Sequence, residues 1–416
     1  MSSIVGLDIG TSHVRAAIGE ITEDGGVEII GVATRPSAGL RNGVIVNIEA
    51  AMAVIKETLE AAEQNAGDEV RSCVTAIGGN QIESLNSRGL VAVTAHGKSN
   101  REITWQDVER VIEAANAVQI PMDREMLHVI PQEYIVDGIK GIKDPVHMIG
   151  LRLEAEVHIV TASKTANQNL KSCISRAGYD LDGVRLKTLA ATEAVVHEDE
   201  LELGSILIDL GAGTTDVIVL VHGAPVCTTS ITVGGDLVTS DISIVKNVPV
   251  AVAEKIKVES GCCWLPGIDQ DMPVIIPGIG GRPPEETTET ELCRIIQPRM
   301  EEIFTMVRSA VIRKTNLTQL SGNIILTGGG AQMRGVVELA QNVFGTTAVR
   351  VGMPEKLGGI EEDYRKPEFA TVIGLVVGSK NMVNNGGGHK KHRQHEIAAK
   401  KGESENIFSK LKKMFF

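Results

Sequence analysis

Two short segments carry residues that could do chemistry together. GLDIGTSHVRAAIG, from Gly6, and LIDLGAGTTDVIVL, from Leu207, both read as strand, Asp, Gly/Thr-rich turn, strand. A turn of Gly and Thr offers closely approaching backbone N–H groups and hydroxyls, which suit phosphate oxygens. Asp8 and Asp209 end the first strand of each hairpin and place a carboxylate beside the turn, where it can hold Mg2+ through water. One such hairpin is common. Two of them, about 200 residues apart, imply two related domains gripping one nucleotide. A third segment, Ile324–Gly335, reads as strand, triple-Gly turn and helix start. Gly328, Gly329 and Gly330 would let the backbone approach a flat ligand, with a helix N-terminus adding a favourable dipole.

Strands and helices must alternate to position these turns. Ile4–Ile9, His13–Gly19 and Val27–Thr34 read as a meander, Glu49–Asn65 as a helix and Arg71–Gly78 as a further strand. From Ser84 to Ala162 the texture changes to a small α+β module: strand Gly89–Ala95, a helix Thr104–Ala117 capped by Thr104 with Asp107, then strands around Leu127–Val136, Gly138–Lys143 and Leu151–Thr161. A helix at Ser163–Ala177 and an apolar segment at Lys187–His197 lead into a second meander: Ser205–Leu210, Asp216–His222, Ala224–Val233. Leu265–Glu291, rich in Gly, Pro and acid, is expected to be a loop. Helices are expected at Glu291–Arg313 and Gln332–Phe344, around a short strand Asn323–Thr327.

Composition narrows the class. The 416 residues are 43% hydrophobic, which suits a globular chain of two or more domains and excludes wholesale disorder. No run of 18 apolar residues is present, and MSSIVGLDIG enters a strand without a signal core, so a cytoplasmic chain is expected. A net charge of −12 argues against a general nucleic-acid binder. The six scattered cysteines, Cys262–Cys263 included, form no metal-thiolate pattern and read as reduced, mostly buried thiols.

The segments Gly6–Gly19, Ile206–Leu220 and Ile324–Gly335, in this order, resemble the two phosphate loops and the adenosine loop of the actin, heat-shock-chaperone and sugar-kinase ATPase superfamily. Within it, GLDIGTS, HVIPQEYIVDG, LRLEAEVHIVTA and IILTGGGAQMRGVVELA look like FtsA, the family of bacterial actin-like cell-division proteins; the likeness covers about residues 3–380 and, in kind, the C-terminal tip. The resemblance implies an α/β, actin-like two-domain ATPase fold with an inserted small α+β subdomain and a C-terminal amphipathic helix. The implied layout is domain 1 at 1–83, 163–197 and a closing helix at 366–383; the insert at 84–162; a domain 2 core at 198–237 and 307–365 with a small lobe at 238–306; a flexible linker at 384–405; and the helix at 406–416.

It also implies ATP and Mg2+ as cofactors. Asp8, Gly10, Thr11 and Ser12 would sit at the β- and γ-phosphates, faced by Asp209, Gly211, Gly213, Thr214 and Thr215, with Asp8 and Asp209 on the metal side. Gly234, Gly235, Glu254 and Lys257 would lie around the sugar and base, and Gly328–Gly330 with Met333 would close the adenine side. Two departures matter. His13 stands where relatives usually carry Lys, and Lys187 lies near where related ATPases carry an acidic or amide residue that orients water. A protonated Lys cannot act as the base, and Glu193 is one or two turns too far along its helix to replace it. Nucleotide is therefore expected to act as a structural and polymerisation switch with slow hydrolysis at best, and no catalytic residue is assigned.

The implied partners are the FtsZ C-terminal tail, further copies of the chain in a filament, later division proteins and an anionic membrane. The lobe Val238–Met306 would receive the tail, with Arg299, Arg308 and Arg313 as candidate contacts. The tip also speaks for itself: Ile407, Phe408, Leu411, Met414 and Phe415 share one helical face, flanked by Lys410, Lys412 and Lys413. Five apolar side chains at ~1.5–3 kcal/mol each are largely offset by ~1–2 kcal/mol of ordering entropy per residue, so one tip binds weakly and an array binds firmly. Together with the resemblance, such a tip implies a place on the inner face of the cytoplasmic membrane at the division septum. The competing readings are an adaptor of the PilM type from pilus machinery, expected to lack such a tip, and a soluble sugar or acid kinase, which needs a carboxylate base not found beyond the phosphate turns.

Overall fold

A computed structural model of the chain describes residues 3–95, 98–99, 101–278, 283–315 and 322–383. The linker and the amphipathic tip read from the sequence lie outside the described residues.

The internal echo becomes two sheets of one topology. In the first, the antiparallel meander Ser3–Ile9, His13–Ile21 and Val27–Pro36 is extended by parallel strands Ser72–Ile77 and Asp180–Leu186 on the side of Ser3–Ile9. In the second, the meander Ser205–Leu210, Thr215–Val221 and Ala224–Ile231 is extended by parallel strands Asn323–Thr327 and Val349–Val351 on the side of Ser205–Leu210. Ser205–Leu210 is buried along its whole length. That explains its run of Ile, Leu and Ile, since a strand covered on both faces shows no alternation.

Between the sheets lies a helical layer. The helices Lys187–Val195 and Ala370–Val383 bring Ala191, Val195, Val372, Ile373 and Val376 into one core with Ile4 and Ile29 of the first sheet and Leu207, Ile218 and Ile325 of the second. Each Leu or Ile withdrawn from water there contributes ~1.5–3 kcal/mol. On the outer faces, the helices Ile48–Ala66 and Lys164–Arg176 cover the first sheet. The second is covered by Gly235–Lys246, Val250–Ser260, Glu289–Thr315 and Val336–Phe344.

The inserted module is a four-stranded antiparallel sheet, in the order Ile139–Ile142, Arg124–Val136, Arg152–Ser163, Ile82–Ala92, with the helix Trp105–Asn116 on one face. The capping Asp107 accepts from the Thr104 backbone N–H at 2.9 Å, and its burial is balanced by Arg101 at 2.6 Å. Polar side chains of the module grip the strand Ala224–Ile231 of the second sheet. Ser84 Oγ donates to the Thr228 carbonyl (2.8 Å), Asn86 Nδ2 to that of Val226 (3.0 Å) and Gln132 Nε2 to that of Pro225 (2.8 Å). His158 lies at the centre, with Nδ1–H donating to Asn86 Oδ1 at 2.7 Å and Nε2 accepting from the Thr228 hydroxyl at 2.9 Å.

Some elements depart from the sequence reading. Asp180–Leu186 is a strand of the first sheet that its polar, Gly-containing sequence hides; its register shifts between Leu181 and Gly183. Within Leu265–Glu291, read as loop, Pro273–Ile276 pairs with Glu285–Thr288, and Val274, Ile276 and Thr287 turn inward, an alternation too short to register. The helix expected from Gln332 begins at Val336, after a tight 3-10 turn at Gly329–Gln332 and a left-handed Gly335. No helix dipole therefore points from the triple-Gly turn. The helix Glu289–Thr315 runs unbroken across the lobe boundary expected at residue 306.

Burial, aided by the Lys314 charge, pushes the His158 pKa down from 6.5 to about 4. The unfolded chain then takes up a proton that the folded one refuses, so the stability is complete above pH 6.5 and lost as pH falls toward 4. About 3 kcal/mol is at stake for this residue. Urea midpoints measured across this range should fall steeply for the wild-type chain and less steeply for His158→Gln.

Candidate functional site

The two hairpins face each other across a cavity of about 600 Å3. Their turns have matching geometry: the Gly10 N–H donates to the His13 carbonyl at 3.0 Å, and the Gly211 N–H to the Thr214 carbonyl at 3.0 Å. A Cβ at either glycine would lie 2.8 Å from that carbonyl oxygen, so each turn excludes other residues. The cavity is lined by Asp8, Gly10, Thr11 and Ser12 from the first half, and by Asp209, Gly211, Gly213, Thr214 and Thr215 from the second. Gly234, Gly235, Glu254 and Lys257 line it too, with Gly328, Gly329, Gly330 and Met333.

Side-chain roles within that lining differ. The Thr11 hydroxyl accepts from the Gly43 N–H at 2.9 Å, Thr214 donates to Asp216 at 3.1 Å, and Thr215 donates to the Val233 carbonyl at 2.8 Å. The Thr214 and Thr215 hydroxyls thus spend their protons inside the protein, whereas the Thr11 hydroxyl accepts and keeps its own proton to donate. Ser12 Oγ meets His13 Nδ1 at 2.9 Å, and burial with the nearby Arg15 charge pushes the His13 pKa down, so the ring is neutral at pH 7. Lys257 donates to Glu254 (2.6 Å), to the Thr239 hydroxyl (2.8 Å) and to the Gly235 carbonyl (3.2 Å), tying that pair to the first turn of a helix.

Beside the two turns, Lys187 Nζ lies 3.1 Å from Asp209 Oδ2. Burial works to lower the Lys187 pKa, but Asp209, Asp8 and Asp216 together outweigh it and hold the ammonium well above the usual lysine range. Burial pushes the Asp8 and Asp216 carboxyls up, against the pull of the same ammonium. Asp216 escaped the sequence reading, although the echo itself could have found it. Arg15 opposes Asp8 in one hairpin, and Asp216 opposes Asp209 in the other. Arg15 instead pairs with Glu368 at 3.0 Å, and both line the cavity. Glu193 is held by Arg185 through two bonds of 2.8 and 2.7 Å and lies outside the cavity lining.

The donor set suits Mg2+ held through water. Asp8, Asp209 and Asp216 against the one ammonium of Lys187 leave a local excess of negative charge that a divalent cation would neutralise. No group of three ligating His, Cys, Asp or Glu side chains converges among the described residues.

Family comparisons bear on these features directly. A family model described as "SHS2 domain inserted in FTSA" matches residues 79–161, the four-stranded module, and one for "Cell division protein FtsA" matches residues 206–374. The cell division protein FtsA of Borreliella burgdorferi is 43% identical over 413 residues, covering 99% of this chain and 98% of that one. The chain belongs to the FtsA family of cell division proteins. The FtsA of Pseudomonas aeruginosa is 41% identical, covering 90% of this chain and 88% of its own. Among solved structures, a PilM–PilN type IV pilus biogenesis complex aligns with a TM-score of 0.65 at 18% identity, covering 90% of this chain and 97% of that one. MreB5 of Spiroplasma citri bound to ADP aligns at 0.55 and 16% identity (92% and 98% covered), and a MamK double helical filament at 0.51 and 15% (90% and 97% covered). These neighbours show that the FtsA chain has the actin-like fold.

Gly328 is a tight point of the site, with φ +81° and a would-be Cβ 2.2 Å from Asp209 Oδ1. Gly328→Ala should lower unfolding stability by roughly 2 kcal/mol or more, read from urea melts.

Proposed function

We propose that the chain binds ATP with Mg2+ in the cleft between its two halves and uses it to switch self-assembly rather than to drive rapid turnover. The observation that carries this reading is the pair of matched, Asp-ended hairpins facing one cavity. Backbone N–H groups of Thr11, Ser12, Ala212 and Gly213, on turns closed by the Gly10 and Gly211 N–H groups, would meet the β- and γ-phosphates. Asp8 and Asp209 would hold Mg2+ through water, and that ion would neutralise the phosphate charge. Gly234, Gly235, Glu254 and Lys257 would flank the sugar and base, with Gly328–Gly330 and Met333 against the adenine. The ADP-bound MreB5 neighbour supports nucleotide in this cleft. Hydrolysis would be slow, because Lys187 has no acceptor with which to orient water and Glu193 is committed to Arg185.

As a member of a cell-division family, the chain would assemble into filaments, as the MamK neighbour does, and tether the FtsZ ring to the membrane while helping recruit later division proteins. The lobe around 238–306 would take the FtsZ tail. On the helix Glu289–Thr315, Arg299 is already paired with Asp241 at 2.6 Å; farther along the same helix Arg308 donates to the Val343 carbonyl, whereas Arg313 is exposed. The segment Asn406–Phe416 would anchor the assembly to anionic lipid on the cytoplasmic side. Among the described residues no helix is long and apolar enough to cross a membrane.

Two measurements test this. Replacing both Asp8 and Asp209 with Ala should erase whatever Mg2+ adds to ATP affinity, so that calorimetry in Mg2+ and in EDTA returns the same value; a Mg2+ effect equal to that of the wild-type chain would remove these carboxylates from the reading. With anionic liposomes and Mg-ATP, the full chain should float while a chain ending at Asn385 stays below. Equal behaviour of the two would remove the tip as the anchor.

A further inference from the structure

Carboxylates that face each other across a phosphate-binding cleft repel the ligand they frame, and a divalent metal is the usual remedy. This cleft has a second remedy built into the chain. Lys187 is the first residue of the helix Lys187–Val195, directly after the strand Asp180–Leu186. The start of that helix is fixed from outside, because the Leu186 N–H donates to the buried His128 Nε2 at 2.9 Å. Gly78 keeps the space beside it open: a Cβ there would lie 3.2 Å from Lys187 Cβ and 3.3 Å from Asp216 Oδ2. The side chain lines the cavity and is 17% exposed as a whole, with Nζ 3.1 Å from Asp209 Oδ2. Asp216 is occupied elsewhere, accepting from the Gly79 N–H at 2.8 Å and from the Thr214 hydroxyl. An ammonium has three donors, so contact with Asp209 leaves others for a phosphate oxygen.

We propose that Lys187 is a resident cation of the cleft, which binds the phosphates alongside the metal and makes nucleotide binding only weakly dependent on Mg2+. This rests on the nucleotide reading above and adds to it a division of charge between metal and side chain.

The test compares ATP binding to the full chain by calorimetry, in Mg2+ and in EDTA, for wild type and Lys187→Gln, with melting curves as the check on folding. Wild type should lose less than about tenfold in affinity on metal removal, whereas Lys187→Gln should lose at least about tenfold more than wild type does. A wild-type loss above about tenfold overturns the proposal without recourse to any variant. So does an equal loss in the two proteins. Failure of the wild-type chain to bind ATP in either buffer overturns the nucleotide reading itself, and this proposal with it.

Discussion

Three buried carboxylates around one ammonium set the terms for the rest of the molecule. Such a cluster is tolerable only where its members are fixed, paired and turned toward a polar space. Asp8 and Asp209 are fixed by two sheets, and Lys187 by the helix between them. The apolar layer built on Val372, Ile373 and Val376 holds both sheets against that helix and so keeps the charges in register. An error in packing at any of these elements would leave a carboxylate buried without its counter-charge.

How much of this could be read from the chain alone depended on how locally it was encoded. The two hairpins were legible because strand, Asp and Gly turn follow one another within fourteen residues in each. The helix Trp105–Asn116 announced itself through Thr104 and Asp107. By contrast, Asp180–Leu186 becomes a strand through its parallel partner Ser72–Ile77, more than a hundred residues away. The start of the helix at Val336 was misplaced because Gly335 is left-handed and packs against Trp264, a contact no local pattern reveals. In the site, glycines with a backbone role were found, but Asp216 was taken for an ordinary strand residue. Its importance lies in Gly79 and Lys187, both distant in sequence. The committed hydroxyl of Thr215 was equally invisible, since only the fold brings Val233 beside it.

The two halves are joined in two physically different ways. Apolar helices fill the space between the sheets, while the inserted module meets the second sheet through hydrogen bonds from Ser84, Asn86, Gln132 and His158. Apolar contacts are non-directional and allow small sliding, whereas hydrogen bonds are sensitive to angle and distance. Motion between the halves would therefore be felt first along the polar seam. Through His128 the same module also touches the helix that carries Lys187.

The grip on Ala224–Ile231 has one more effect. That strand is the outer member of its sheet, and an outer strand normally offers a row of carbonyls and N–H groups to any passing chain. Here the carbonyls of Pro225, Val226 and Thr228 are already taken by side chains of the insert. On the first sheet, the outer strand Val27–Pro36 receives the Ile360 N–H at the Ile29 carbonyl. Both of these margins are thus partly covered from within the chain. Where copies of this chain gather at high local concentration, that cover disfavours cross-β growth along these two strands, which cannot be undone, and favours association through folded surfaces, which can.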